Sequence, residues 1–171
     1  FFLFYLKKEP TLVRYLPFVL KTLYNYHKER IRFNDIIDSF GHVFEEYFTT
    51  HDVDFDEVVR EFWDKHEHRV KPFYKEIQQE DDLIITACPN FMAQEICRRL
   101  GIKHCLGTEF DIKTGKFIRG CFRERKIDFF REAFPDGVID DFYTDSMNDK
   151  FLFPYAKRVF LVKGEKITRI K

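Results

Sequence analysis

A change of hydrophobic rhythm near Gln78–Asp82 constrains the fold more than any other feature of this chain. Before it, apolar residues recur every three or four positions, the period of one helix face. Residues 12–27 carry Leu12, Tyr15, Leu16, Val19, Leu20, Leu23 and Tyr24 at that spacing. Asn34 is placed to cap a second helix through Ile36, Ile37, Phe40, Val43, Phe44 and Phe48. Asp54, with Glu57 three residues on, has the form of a capping box and opens a third helix through Val58, Phe62 and Trp63. That helix is interrupted near Pro72, where a ring replaces a backbone donor.

Beyond the break, short apolar runs alternate with helical stripes. Leu83-Ile84-Ile85 reads as a buried strand, and Pro89-Asn90 opens a helix with Met92, Ile96 and Leu100 on one side, ended by Gly101. His104–Phe110 reads as a strand, Asp111–Gly115 as a turn, and Lys116–Ile118 as the returning strand. A helix over about 123–134 precedes a strand over 138–143; a helix over about 148–156 precedes a final strand, Val159–Val162. This alternation predicts an α/β fold with a doubly wound, mostly parallel, Rossmann-like sheet core and a small hairpin.

A chain of 171 residues suits one domain with a modest insertion, and 44% apolar residues can fill its core. The 29 basic and 29 acidic side chains cancel, so no overall field directs the chain to nucleic acid or to an anionic membrane. Phe1–Leu6 is apolar but is stopped by Lys7-Lys8-Glu9-Pro10, and the run from Tyr15 to Tyr26 is broken by Pro17 and Lys21; neither spans a membrane. Half of the 22 phenylalanines lie in the first half of the chain, where they suit packing through flat rings and leave open a weak membrane-surface contact. Cys88, Cys97, Cys105 and Cys121 lack both CxxC spacing and the density of a disulfide scaffold, so free, buried or half-buried thiols in a reducing cytoplasm are expected.

The chemistry is concentrated at three places. Tyr143-Thr144-Asp145-Ser146-Met147-Asn148-Asp149 follows the apolar run Val138–Phe142, so two carboxylates stand where a strand meets the carboxyl edge of a sheet. Hard oxygen ligands there suit Mg²⁺, particularly with a phosphate in the coordination shell. Equally, Asp145 can serve as the N-cap of the following helix. Thr86 ends the first strand of the second half, and its hydroxyl, with the free amides of Ala87-Cys88-Pro89, can hold a phosphate; a turn or capping role is the alternative. Lys126, at the head of the next long helix, offers a fixed positive charge or else a solvated one. His66 and His68 project to different helix sides, and His51 beside Asp52 reads as solvated loop. Asp54-Phe55-Asp56 loosely fits an Asp-x-Asp pattern but stands before an amphipathic helix, where a cap is the better reading.

Leu83-Ile84-Ile85-Thr86-Ala87-Cys88-Pro89, then Thr114-Gly115-Lys116, then Tyr143–Asp149 form an order that resembles the haloacid dehalogenase superfamily, in particular its phosphoserine-phosphatase-like branch. The resemblance implies a Mg²⁺-dependent phosphomonoester hydrolase that works through an aspartyl-phosphate on a small phosphorylated metabolite. By it, Thr86 and Ala87 bind phosphate and Lys126 steadies phosphate and nucleophile. Asp145 is a Mg²⁺ ligand, Asp149 supports the metal shell, and Asn148 hydrogen-bonds nearby. It also implies a helical cap over residues 11–79, an α/β core over 80–171, and residues 1–10 as core following the family's first motif. That motif, a strand ending in Asp-x-Asp-x-Thr, is absent from the sequence and is expected ahead of Phe1. A lipid-phosphate phosphatase and a non-catalytic phospho-ligand-binding relative are the alternatives. Substrate identity, cap specificity residues and oligomeric state have no legible code.

Overall fold

The computed structural model describes residues 1–28, 30, 41, 43, 45–47, 49–51 and 53–171. Asn34, Ile36, Ile37, Phe40, Phe44 and Phe48 of the second expected helix lie outside the described residues, as does Asp52. Contacts divide the chain into two compact units, Phe1–Lys65 with Phe110–Ile118, and His66–Glu109 with Arg119–Lys171.

The Phe1–Lys65 part of the first unit is helical. It contains α1 (Phe2–Lys8), a 3₁₀ segment Pro10–Tyr15, α2 (Leu16–His27) and α3 (Phe55–His66); the described residues between 41 and 50 are helical as well. Asp54 begins α3 as its composition predicts, with Oδ1 accepting from the Glu57 amide at 2.9 Å, and that contact assigns Asp54 to helix capping. Aromatic rings hold the unit together. Phe62 meets Phe1, Phe4 and Trp63 at centroid distances of 5.4, 5.5 and 5.1 Å, in edge-to-face arrangements favoured by the ring quadrupole. Tyr5 and Tyr47 share a buried hydroxyl–hydroxyl bond of 2.9 Å, and burial pushes the Tyr5 phenol far above its usual range. His51 is stacked on the Tyr47 ring at 4.3 Å and half-buried, where a solvated loop was expected.

The single apolar face expected over 12–27 does not persist. Leu12 and Thr22 are buried, whereas Leu20, Leu23 and Tyr24 are exposed. The physical reason is a break in phase: the tighter 3₁₀ turn through Pro10–Tyr15 gives way to α2 at Leu16, with Pro17 in its first turn. Spacing counted across that junction mixes two helical periods.

Most of the strand residues belong to the second unit; Phe110–Ile118, grouped with the first, holds the end of one strand and most of the next. β1 (Leu83–Pro89) pairs in parallel with β2 (His104–Asp111), and β3 (Lys116–Arg119) lies beside β2. β4 (Ile139–Thr144) pairs in parallel with β5 (Ala156–Lys163), which pairs antiparallel with β6 (Lys166–Arg169). Among the described residues these form two three-stranded sheets, each mixing parallel and returning strands, in a mixed α/β fold. The helices of the unit are α4 (Pro72–Ile77), α5 (Asn90–Arg99) and α6 (Arg125–Ala133). α5 ends as its Gly101 predicts: φ is +73° there, the Ile102 amide bonds Cys97 O at 2.8 Å and the Gly101 amide bonds Arg98 O at 3.2 Å, closing a Schellman motif.

Two elements differ from the sequence reading. The helix expected over 148–156 is a 3₁₀ helix, Met147–Tyr155, with Pro154 inside; a proline late in the segment removes a donor that an α-helix needs. β6 was not anticipated, because Lys166-Ile167-Thr168-Arg169 lies on the exposed side throughout and carries no apolar alternation. The core of the unit is Phe130, Phe142, Leu152, Ala156 and Val159, with Leu83, Ile85 and Ile127 packed against it. It thereby fastens β1, α6 and the β4–β5 pair at the end where the polar motifs lie.

Candidate functional site

Lys126 sits in the first turn of α6 and is 5% exposed, because neighbouring Ile127, Phe129 and Phe130 draw that turn into the core. A buried ammonium requires a partner. Its Nζ donates to Asp149 Oδ1 at 2.5 Å and approaches the Ile85 carbonyl, at the end of the regular part of β1, at 3.4 Å. Lys126 is therefore a fixed buried charge and not a solvated one.

The other Asp149 oxygen, Oδ2, accepts from the Thr144 hydroxyl at 2.8 Å. Thr144 is itself 6% exposed, and its oxygen accepts from the Ser146 amide at 3.1 Å. Asp149 thus has both oxygens engaged, one by a cation and one by a hydroxyl. It is the counter-charge that holds Lys126 in place.

Asp145 behaves differently. The cap of the 3₁₀ helix is Ser146, whose Oγ accepts from the Asn148 amide at 3.2 Å. Ser146 takes the capping role that Asp145 could have filled, and the exposed Asp145 carboxylate has no protein partner among the described residues. Its main-chain carbonyl is held by Lys163 Nζ at 2.6 Å, which fixes the backbone while leaving the side chain available. Asn148 is exposed beside it.

Thr86 and Ala87 lie where β1 departs from regular pairing. The register runs Ile85↔Leu106 and resumes at Pro89↔Thr108, so Thr86-Ala87-Cys88 forms a bulge. Thr86 Oγ accepts from the Cys88 amide at 3.1 Å, which leaves the hydroxyl proton free to donate elsewhere. Cys88 is exposed, contrary to the expectation that the thiols would be buried or half-buried; Cys97 and Cys121 are buried and Cys105 half-buried.

One chain of contacts therefore joins all three motifs. The end of β1 touches Lys126, Lys126 touches Asp149, Asp149 touches Thr144, and Thr144 precedes Asp145. The family model described as HAD, haloacid dehalogenase-like hydrolase, matches residues 1–152. The chain belongs to the haloacid dehalogenase-like hydrolases. No curated protein and no solved structure matches this hydrolase. No helix among the described residues is long and apolar enough to cross a membrane.

Among the described residues the hydrolase gathers no cluster of three or more His, Cys, Asp or Glu side chains fit for a metal. The donor set at this site is one free carboxylate, Asp145, with Asn148 nearby. That is a small set, but Mg²⁺ commonly keeps several waters and uses one or two carboxylates plus a substrate phosphate, so the residues present are compatible with it. Three contributors escaped the sequence reading. Thr144 and Ser146 stand inside the motif, yet their roles depend on which hydroxyl caps and which is buried. Lys163 reaches Asp145 from the far end of β5, a pairing that no local spacing announces.

Proposed function

We propose that this hydrolase cleaves phosphomonoesters of small metabolites with Mg²⁺, through an aspartyl-phosphate intermediate. The observation that carries the reading is the division of labour between the paired acids: Asp149 is consumed by Lys126 and Thr144, while Ser146 caps the helix and leaves the Asp145 carboxylate open. A cap or a structural ion pair would not need an exposed acid held by its backbone alone.

The attacking carboxylate of an aspartyl-phosphate mechanism approaches a phosphate that is already anionic. Lys126, locked by Asp149, places a positive charge that lowers this repulsion without reorganising during the reaction. Thr86 donates its hydroxyl proton to a phosphate oxygen, and the Ala87 region of the bulge lines the same anion. Asp145 would hold Mg²⁺, which when bound supplies further neutralisation of the phosphate charge. The phosphoserine-phosphatase-like branch, the doubly wound core and the helical cap over 11–79 belong to the same proposal and rest on motif order.

Asp145→Asn tests it directly. In the protein as its gene encodes it, Mg²⁺-dependent turnover of p-nitrophenyl phosphate should fall by about a hundredfold or more, roughly 3 kcal/mol in the barrier, with the melting temperature unchanged. Full activity in that variant removes Asp145 from the site. A second reading, a lipid phosphate as substrate, is favoured by exposed Leu3, Val13, Leu20 and Leu23 in the helical unit. Stimulation of turnover by phospholipid vesicles would support it, and vesicle-independent rates would dismiss it.

A further inference from the structure

We infer that Thr108, with Gly107 before it, is a positioning residue that orients Thr86 for phosphate binding through a buried relay of hydrogen bonds. The inference rests on the phosphatase reading above and assigns a role to a residue on β2 that contacts neither metal nor substrate.

Thr108 is 5% exposed, so its hydroxyl must find partners inside the protein. It accepts from the Cys121 amide at 3.1 Å and donates to the Ala87 carbonyl at 2.8 Å. The Ala87 carbonyl belongs to the same peptide unit as the Cys88 amide, which donates to Thr86 Oγ. The donors run in one direction: Cys121 N–H to Thr108, Thr108 O–H to Ala87 O, Cys88 N–H to Thr86. At the end of that series only the Thr86 proton is uncommitted, and it can be given to an anion. Hydrogen bonds linked through a peptide group polarise one another, so the relay strengthens Thr86 as a donor as well as aiming it.

Gly107 makes the geometry accessible. A Cβ at that position would lie 2.9 Å from both Asn90 Cα and Cys88 O, backbone atoms that cannot step aside. Only glycine lets β2 approach the bulge closely enough for the next residue to reach Ala87. The other end of the relay is equally constrained. Cys121 is fully buried, its sulfur is met by the Thr86 backbone N–H and lies 3.8 Å from Leu106 O, and burial pushes its thiol up to about 11. Five residues further on is Lys126. One hydroxyl thus joins the loop that meets the phosphate to the segment that delivers the ammonium.

The test replaces Thr108 by Val, which keeps the shape and deletes the hydroxyl, and by Ser, which keeps the hydroxyl. For Thr108→Val we expect kcat/KM on p-nitrophenyl phosphate to fall about tenfold or more. The inhibition constant of inorganic phosphate should rise by a similar factor, and the Mg²⁺ concentration for half-activation should stay put. Thr108→Ser should recover most of the loss. Should Thr108→Val not fold, Thr108→Cys, a weak donor of similar size, should show an intermediate loss with the same pattern. A folded Thr108→Val protein with wild-type phosphate inhibition overturns the inference, as does a loss that Ser fails to restore. Wild-type protein that neither turns over nor is inhibited by phosphate overturns the phosphatase reading and this inference with it. Wild-type activity together with an unaffected Thr108→Val overturns this inference alone.

Discussion

The helical unit and the α/β unit are held together by different forces, and the contrast explains where chemistry can reside. In the helical unit, rings pack on rings: half-buried Phe1, Phe4 and Phe62 with buried Tyr5, Tyr47 and Phe55. A buried hydroxyl–hydroxyl bond links two of these rings, Tyr5 and Tyr47. In the α/β unit the apolar core of Phe130, Phe142, Leu152, Ala156 and Val159 borders a string of buried polar side chains, Thr108, Lys126 and Thr144, each with named partners. Ring contacts are tolerant of geometry, since dispersion has little directional demand. Buried hydrogen bonds and charges are not, because an unpaired polar group inside costs its full desolvation. A site that must hold an anion in one orientation belongs with the second kind of packing.

The sharpest way to break this contrast is at the buried ion pair. Asp149→Asn leaves the Lys126 ammonium, whose side chain is 7% exposed, without a counter-charge. Urea unfolding should show a loss of about 3–5 kcal/mol. The double variant Lys126→Met with Asp149→Leu should regain most of that stability yet stay inactive. Wild-type stability in Asp149→Asn would mean that the pair is not sealed from water.

Truncation of apolar side chains draws the same distinction with a smaller effect. Leu152→Ala, at a position with no exposure, should cost about 3 kcal/mol in unfolding free energy, whereas Leu20→Ala, more than half exposed, should cost under about 0.5 kcal/mol. Equal costs would show that Leu20 is covered in solution.

A pH titration sharpens the picture at the end of α5. Hydrogen bonds from Arg98 above all, and from Arg99, lower the Glu95 carboxyl from 4.5 to about 2 despite the opposing effect of burial. A depressed folded value means that the contribution is fully present above about pH 4.5 and is lost as pH falls toward 2. Arg98 is largely exposed, so screening limits the effect to about 1 kcal/mol. Comparing wild type with Glu95→Gln should show a stability gap at pH 6 that closes by about pH 2; a gap constant with pH would refute the assignment.

The smallest effect has the opposite sign. Arg123 adopts φ of +49°, a left-handed conformation unfavourable for a side chain with a Cβ, directly before the turn that leads to Lys126. Arg123→Gly should raise stability by about 0.5–1 kcal/mol, the relief of strain exceeding the entropy lost. A decrease, read by thermal melting, would show that the arginine makes a stabilising contact.

The distribution of legible and illegible features follows from what each depends on. Local rules worked where a signal and its effect lie within one turn, as where Asp54 caps α3 and Gly101 closes α5; the helix expected over 148–156 left Pro154 out of account, and the segment is 3₁₀. The alternation after residue 82 pointed to an α/β unit because burial on one side imposes a period on side chains. Counting periods failed across Pro10–Tyr15, where two helix types meet, and over Lys166–Arg169, where an exposed edge strand needs no apolar pattern.

From the order of residues alone came the motif series Thr86, Lys126, Asp145, Asp149 and the family it indicates, because such chemistry requires particular side chains at strand and helix ends. Only the folded molecule decided how they divide the work. Whether Lys126 is solvated or buried and which hydroxyl reaches Ala87 are settled by partners 20 or more residues away, as in Lys126–Asp149 and Thr108–Ala87, whereas Ser146 takes the cap through Asn148, two residues on. A carboxylate is the same chemical group everywhere along a chain. What it can do depends on which of its oxygens the surrounding packing has already claimed.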